Sequence, residues 1–120
     1  MKQESRPDVT ALEGEELNAV SFVMDYVEFH FNGPRLQALS NPVFQSAEGR
    51  VQFPAAGARD ALCSLIGSTV QKVEARDKEA IRLHFTDERV LVVPLDDENR
   101  IGPEAATFHT GRSNSPLIVW

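Results

Sequence analysis

Apolar and polar positions alternate most sharply at Ile81-Arg82-Leu83-His84-Phe85. A strand here sets Ile81, Leu83 and Phe85 on one face and Arg82 and His84 on the other. The short polar residues Thr86, Asp87 and Glu88 follow, and then Arg89-Val90-Leu91-Val92-Val93, rich in side chains that suit a pleated surface. The stretch predicts a β-hairpin with a loop of three or four residues. Phe29-His30-Phe31-Asn32-Gly33-Pro34-Arg35-Leu36-Gln37 runs through the same order of residue types, with His, Phe and Arg identical at matching positions. An internal echo of this kind predicts two related hairpin units, although any two hairpins share an apolar strand, a polar turn and a second strand.

The remaining chain supplies further elements. Val20 to Phe31 is almost continuously apolar and reads as one strand, with Val23, Val27, Phe29 and Phe31 on one face and Phe22, Met24 and Tyr26 on the other. A strand with two apolar faces is central in its sheet or half covered by another subunit. Asp25 interrupts the first of these faces and reads as a solvated strand-end carboxylate. Pro34 after Asn32-Gly33 predicts a longer loop than a two-residue turn. Arg35 to Leu39 returns as a strand that Asn41-Pro42 ends, and Val43 to Phe53 carries one short strand on each side of Glu48-Gly49. Pro54 to Gly67 predicts the one helix, with Ala58, Ala61, Leu62, Leu65 and Ile66 at helical spacing. Ser68 to Ala75 leads into the first hairpin described, and the apolar terminus Pro116 to Trp120 must be tied down as a strand. Together these predict an α+β fold: a curved antiparallel sheet of about six or seven strands, built from two hairpin units, with one short helix packed on it. Residues 1–16 show no sustained period and read as a flexible N-terminal arm with a short pairing at Val9 to Leu12. Residues 17–120 read as a single domain.

Composition narrows the class of partner. Twelve Lys and Arg face 18 Asp and Glu, and the arginines form no run, which argues against a nucleic-acid backbone as ligand. No apolar run approaches the roughly 18 residues of a membrane span, and the N-terminal residues lack the apolar block of a secretory signal. The expectation is a cytoplasmic protein. Cys63 is the only cysteine, so a disulfide framework and a cysteine zinc site are both ruled out; it reads as a small half-buried hydrophobe.

Several features are similar to a bacterial family of small uncharacterised proteins, a domain of unknown function. They are Asp25-Tyr26 in the apolar stretch, Leu65-Ile66-Gly67 with Val70, Leu83-His84-Phe85-Thr86-Asp87 before Val90-Leu91-Val92, Gly102-Pro103-Glu104-Ala105, and the closing Leu117-Ile118-Val119-Trp120. The sequence departs from the family at Glu88, where a glycine is usual, and at Ala106, where a tryptophan is common. The resemblance implies a fold and brings no established activity.

Candidate chemistry is sparse. His30 and His84 both point away from the core in alternating strands and, with Glu28 or His109, could form an acid–base pair or metal site. No His-x-His or His-x-x-x-His supports this, and no metal or other cofactor is expected. The acidic loop Asp96-Asp97-Glu98 lacks the spacing of a calcium site. Glu104 reads as an acceptor for backbone amides at a turn. The function these residues favour is a non-enzymatic protein-interaction module. It would self-associate as a homodimer, or meet a basic partner in the manner of an immunity protein or antitoxin, through Phe22, Met24, Tyr26, Glu28, Asp96, Asp97 and Glu98. The alternative is a small-molecule binding protein or minor enzyme with a sheet-lined pocket holding His30, His84 and Glu104.

Overall fold

The computed structural model describes residues 8–24, 26–99, 102–111 and 117–120. Asp25 and residues 1–7 of the expected arm lie outside the described residues. In chain order the strands are β1 (Ala19–Val23), β2 (Tyr26–His30), β3 (Arg35–Ala38), β4 (Val43–Ser46), β5 (Gly49–Gln52), β6 (Val70–Arg76), β7 (Ala80–Phe85), β8 (Val90–Pro94), β9 (Ala106–His109) and β10 (Ile118–Val119). The helix α1 (Ala58–Cys63) lies between β5 and β6, and 3-10 turns occupy Val9–Leu12 and Asp97–Asn99. The fold is α+β and antiparallel, as the alternation predicts. It is divided, however, into two five-stranded sheets, β1-β2-β3-β9-β10 and β5-β4-β8-β7-β6, rather than one sheet of six or seven strands. The apolar faces of both sheets meet in one core, where Phe29, Leu36 and Phe108 of the first sheet lie with Ile81, Leu83 and Leu91 of the second. Each sheet is the cover that the other's apolar face requires.

The two halves of the chain repeat one another. Each opens with a short helical turn, continues as a three-stranded meander, and ends in a hairpin. That hairpin leaves its own meander and joins the other one: β4 pairs with β8, and β9 pairs with β3. The register repeats as well. The cross-strand row Val20, Phe29, Leu36, Phe108, Ile118 in the first sheet matches the row Val73, Leu83, Leu91, Phe44, Val51 in the second.

At the junction, the segments that lead into β1 and β6 pair with each other. Gly14 N–H bonds Val70 C=O and Gly67 N–H bonds Leu17 C=O, both at 2.8 Å, while Leu17 N–H bonds Ser68 C=O at 3.0 Å and Val70 N–H bonds Glu15 C=O at 2.9 Å. Exchanging Gly14 with Gly67, Glu15 with Ser68 and Leu17 with Val70 maps this set of bonds onto itself. The pairing therefore has two-fold form. Gly14 and Gly67 both adopt positive φ, 87° and 94°, because the chain must turn sharply from helical backbone into a strand, where a Cβ is strained. A β-bulge also recurs: Val70 and Lys72 bracket one in β6 opposite His84. In the first half Asn18 N–H bonds His30 C=O at 2.7 Å beside the Ala19–His30 pair.

The structure corrects several expectations. The gap-free echo matched Arg35 with Arg89. In the first hairpin Phe31 N–H bonds Pro34 C=O, and in the second Phe85 N–H bonds Arg89 C=O. The second loop is thus one residue longer, Pro34 corresponds to Arg89, and Leu36 corresponds to Leu91. Pro34 has no N–H to complete a pair with Phe31, so the strands end at His30 and Arg35 and the connection is longer than two residues, as expected. The apolar run from Val20 is a hairpin and not one strand: Val23 pairs with Tyr26 and Phe22 with Val27. Phe22 consequently faces the core, Tyr26 faces the other side, and Met24 is at the turn, so the three share no face. The helix is six residues long because Gly57 at its start has φ 86° and breaks the backbone there. The part of the supposed arm that is described is packed: Val9 and Leu12 are buried beside Leu62 and Leu65 in the same core, and Asp8 caps the turn by accepting the Thr10 N–H.

Leu12 and Leu65 occupy matching places two residues before the paired glycines, and each is fully buried. Leu12→Ala and Leu65→Ala are each expected to cost about 2–5 kcal/mol through the cavity left behind, as read by urea unfolding. A flexible arm would make the first substitution neutral.

Candidate functional site

The outward face of the first sheet holds the most connected polar cluster among the described residues. Cross-strand partners share a face, so Ser21, Glu28, Gln37 and Thr107 form one row across β1, β2, β3 and β9, and His30, Arg35 and His109 form the next. The first row is a chain of bonds. Thr107 Oγ1 donates to Gln37 Oε1 at 2.6 Å, and Gln37 Nε2 donates to Glu28 Oε2 at 2.5 Å. His30 Nε2 lies 3.0 Å from Glu28 Oε1 and 3.2 Å from Ser21 Oγ. Arg35 Nε stands 3.9 Å from Glu28 Oε2. The Glu28 side chain is only 15% exposed because these neighbours surround it. His109 Nδ1 accepts the Gly111 N–H. Such bonds fix rotamers across four strands before any ligand arrives.

Apolar residues rim this face. Val23 is 41% exposed, Met24 96% and Val119 45%, and Val23 and Val119 pair with Tyr26 and Thr107 on the same side. This arrangement reverses the usual protein interface, which has an apolar centre and a polar rim, but it leaves three large apolar side chains exposed beside ordered polar groups.

The outward face of the second sheet differs. Its equivalents of Gln37 and Thr107 are Val92 and Val43, which form a small separate apolar cluster with Ala80 and are buried. The connection after β8 lies over this end, since Gln52 Nε2, on that face, donates to Asn99 Oδ1. Its polar residues include His84, whose Nε2 lies 2.8 Å from Glu74 Oε1, Lys72, and Arg82 beside Glu79. The hydrogen bond from His84 holds the Glu74 carboxyl below its usual range. Glu74 corresponds to Ser21, so each histidine stands opposite its bulge with a polar partner in the same place.

A third cluster ties the second hairpin to the turn after α1. Arg89 donates to Ser64 Oγ and Ser64 C=O at 3.0 Å, to Ser68 Oγ at 2.7 Å, and to Asp87. The guanidinium holds the Asp87 carboxyl down to about 2. An open cleft of about 300 Å³ between Gln45, Ser46, Ala47 and the 87–90 turn adjoins it. Both terminal nitrogens of Arg89 are engaged by groups of the protein, so this cluster acts as a clamp between the hairpin and the turn.

The sequence-predicted residues are dispersed. His30 and His84 sit on the outward faces of different sheets, and Glu104 is exposed in the connection before β9. None of the three lines the cleft. Among the described residues no group of three His, Cys, Asp or Glu side chains is placed to hold a metal ion. Phe22 packs on the core side, stacked on Phe53 at 5.7 Å, with the Arg59 guanidinium 4.9 Å from the Phe53 ring centre. Tyr26 and Glu28 lie on the outward face of the first sheet. Asp96 accepts from Asn99 Nδ2 at 2.9 Å, and Asp97 and Glu98 are exposed beside the second sheet, so Glu28 and the acidic loop do not form one patch. Sequence reading missed Ser21, Arg35, Gln37 and Thr107. Their signal was the outward parity of Arg35-x-Gln37 and Thr107-x-His109, visible only once β3 and β9 are known to be neighbours. Comparison with protein-family models, curated proteins and solved structures returned no match.

Two expectations follow. His84→Ala removes the donor to Glu74, and the Glu74 carboxyl should then titrate closer to its usual range, as followed by side-chain NMR. Asp87 is lowered in the fold, so its contribution is present above about pH 4 and fades as pH falls to about 2. Its side chain is 41% exposed, which limits the effect to about 1 kcal/mol or less. Urea unfolding of Asp87→Asn should show a small loss at neutral pH that shrinks across this acid range.

Proposed function

We propose that this protein is a non-enzymatic protein-interaction module that docks a partner on the outward face of the first sheet. The observation that carries this reading is the contrast between two equivalent faces. On the second sheet's face Val43, Ala80 and Val92 form a buried apolar cluster, whereas on the first sheet's face, among the described residues, Thr107 is buried but Glu28, His30, Arg35 and Gln37 keep part of their surface exposed, with Val23, Met24 and Val119 at the margin. The side chains of the open face are already ordered, which reduces the entropy lost on binding.

The excess of acidic residues supports a partner of net positive charge, in the manner of an immunity protein or antitoxin. Asp97 and Glu98, outside the docking face, would act by steering the encounter more than by contact.

A photo-crosslinking residue placed at Met24 or Tyr26 is expected to capture one partner protein in the native cell, and the same residue at Arg82 on the second sheet is expected not to. With that partner purified, Tyr26→Ala and Arg35→Ala should each weaken binding about tenfold or more. Crosslinking from Arg82 alone, or binding unchanged by both substitutions, would place docking elsewhere.

A further inference from the structure

The repeated architecture allows two equivalent sheet edges to be compared. β6 is an edge of the second sheet and β1 an edge of the first. In both, the bulge sets the hydrogen-bond phase so that matching residues, Val73 and Val20, turn their N–H groups away from their own sheet. An unpaired edge is a template for another strand. On β6 that template is blocked: Glu13 Oε2 accepts the Val73 N–H at 2.9 Å. Glu13 directly precedes Gly14, and the residue in the matching place, before Gly67, is Ile66. Ile66 has no acceptor to offer and is 44% exposed. The backbone of Val20, and of Phe22 two residues on, therefore faces outward from β1 with no hydrogen-bond partner among the described residues.

We propose that β1 is the pairing edge of a homodimer, formed antiparallel with the β1 of a second copy about a two-fold at Ser21. A second copy satisfies the open groups with its own, and its side chains fit the same register. Val20 and Phe22 flank Ser21 symmetrically, so the Val20 N–H and C=O of each copy meet the Phe22 C=O and N–H of the other, giving four bonds with no group left over. Ala19, Ser21 and Val23 are the outward side chains of the paired strands, and small Ala19 falls opposite exposed Val23 of the second copy. Ile66, beside the edge, gains apolar cover. The docking face of the first sheet stays free and becomes continuous across both copies, so this inference stands on the edge and does not depend on the function proposed for the face.

The test is the solution mass of the full chain by light scattering across a dilution series, for the native protein and two variants. Ile66→Glu sets a carboxylate where Glu13 sits on the other edge and should cap the Val20 N–H. Val20→Pro deletes that N–H at an edge, where proline is tolerated. The native protein is expected at twice the chain mass, falling twofold on dilution. Both variants are expected at the single-chain mass throughout, with native circular dichroism. Hydrogen exchange of the native protein adds a readout free of mutation: the Val20 and Phe22 amides should slow as concentration rises. A native protein that is monomeric at every concentration, a dimer that persists in either folded variant, or Val20 and Phe22 amides that exchange fast in the dimer would each overturn the proposal.

Discussion

The antiparallel pairing of Gly14–Leu17 with Gly67–Val70 is the constraint on which the rest of the structure depends. It joins the entries to both meanders by four backbone hydrogen bonds and so places the first strand of each sheet relative to the other. Once the meanders are set in this way, neither can complete its sheet with its own chain. The following hairpin crosses over, and β4 and β9 each become the fourth strand of the opposite sheet. Packing and connectivity then reinforce each other. Leu12 and Leu65, just before the paired glycines, fall into one core with the inward faces of both sheets, and a chain too short for two cores builds one from two interleaved halves.

The two sheets differ where the repetition fails. Equivalent positions that carry Gln37 and Thr107 in the first sheet carry Val92 and Val43 in the second, where the valines join Ala80 in a small buried cluster near the connection after β8. Burial of a polar row under that connection would strand donors and acceptors from water, and exposure of the valines would leave an apolar patch. Among the described residues, the polar row keeps Ser21, Glu28 and Gln37 partly exposed and buries Thr107. The edges follow the same logic. One glutamate at Glu13 satisfies an outward amide, and isoleucine at the matching Ile66 does not. Three differences in an approximate repeat thus distinguish the two sides of the molecule.

Much of the framework was legible in the order of residues. Alternation at Ile81 to Phe85 and the kinship of Phe29-His30-Phe31 with Leu83-His84-Phe85 located both hairpins, and Glu48-Gly49 marked the turn between β4 and β5. The candidate face was half visible: His30 and Glu28 were read as outward, but Gln37 and Thr107 were not, because they are 70 residues apart in the chain and only sheet order makes them neighbours. The run from Val20 misled for a local reason. A hairpin whose two strands are both apolar gives the same pattern as one long strand, and only the pairing of Val23 with Tyr26 distinguishes them.

The sequence by itself determined which side of β2 and β7 is apolar and where most of the hairpins turn. These depend on side-chain type and on a period of two, and both are local properties. Tertiary structure decided the rest: that the strands divide between two sheets, that the two hairpins exchange, that Leu12 belongs to the core, and that His30 and His84 face away on different sheets. Each of these depends on which strand becomes the neighbour of which. That choice is set by the joint burial of residues from both ends of the chain, a quantity no single stretch of sequence contains.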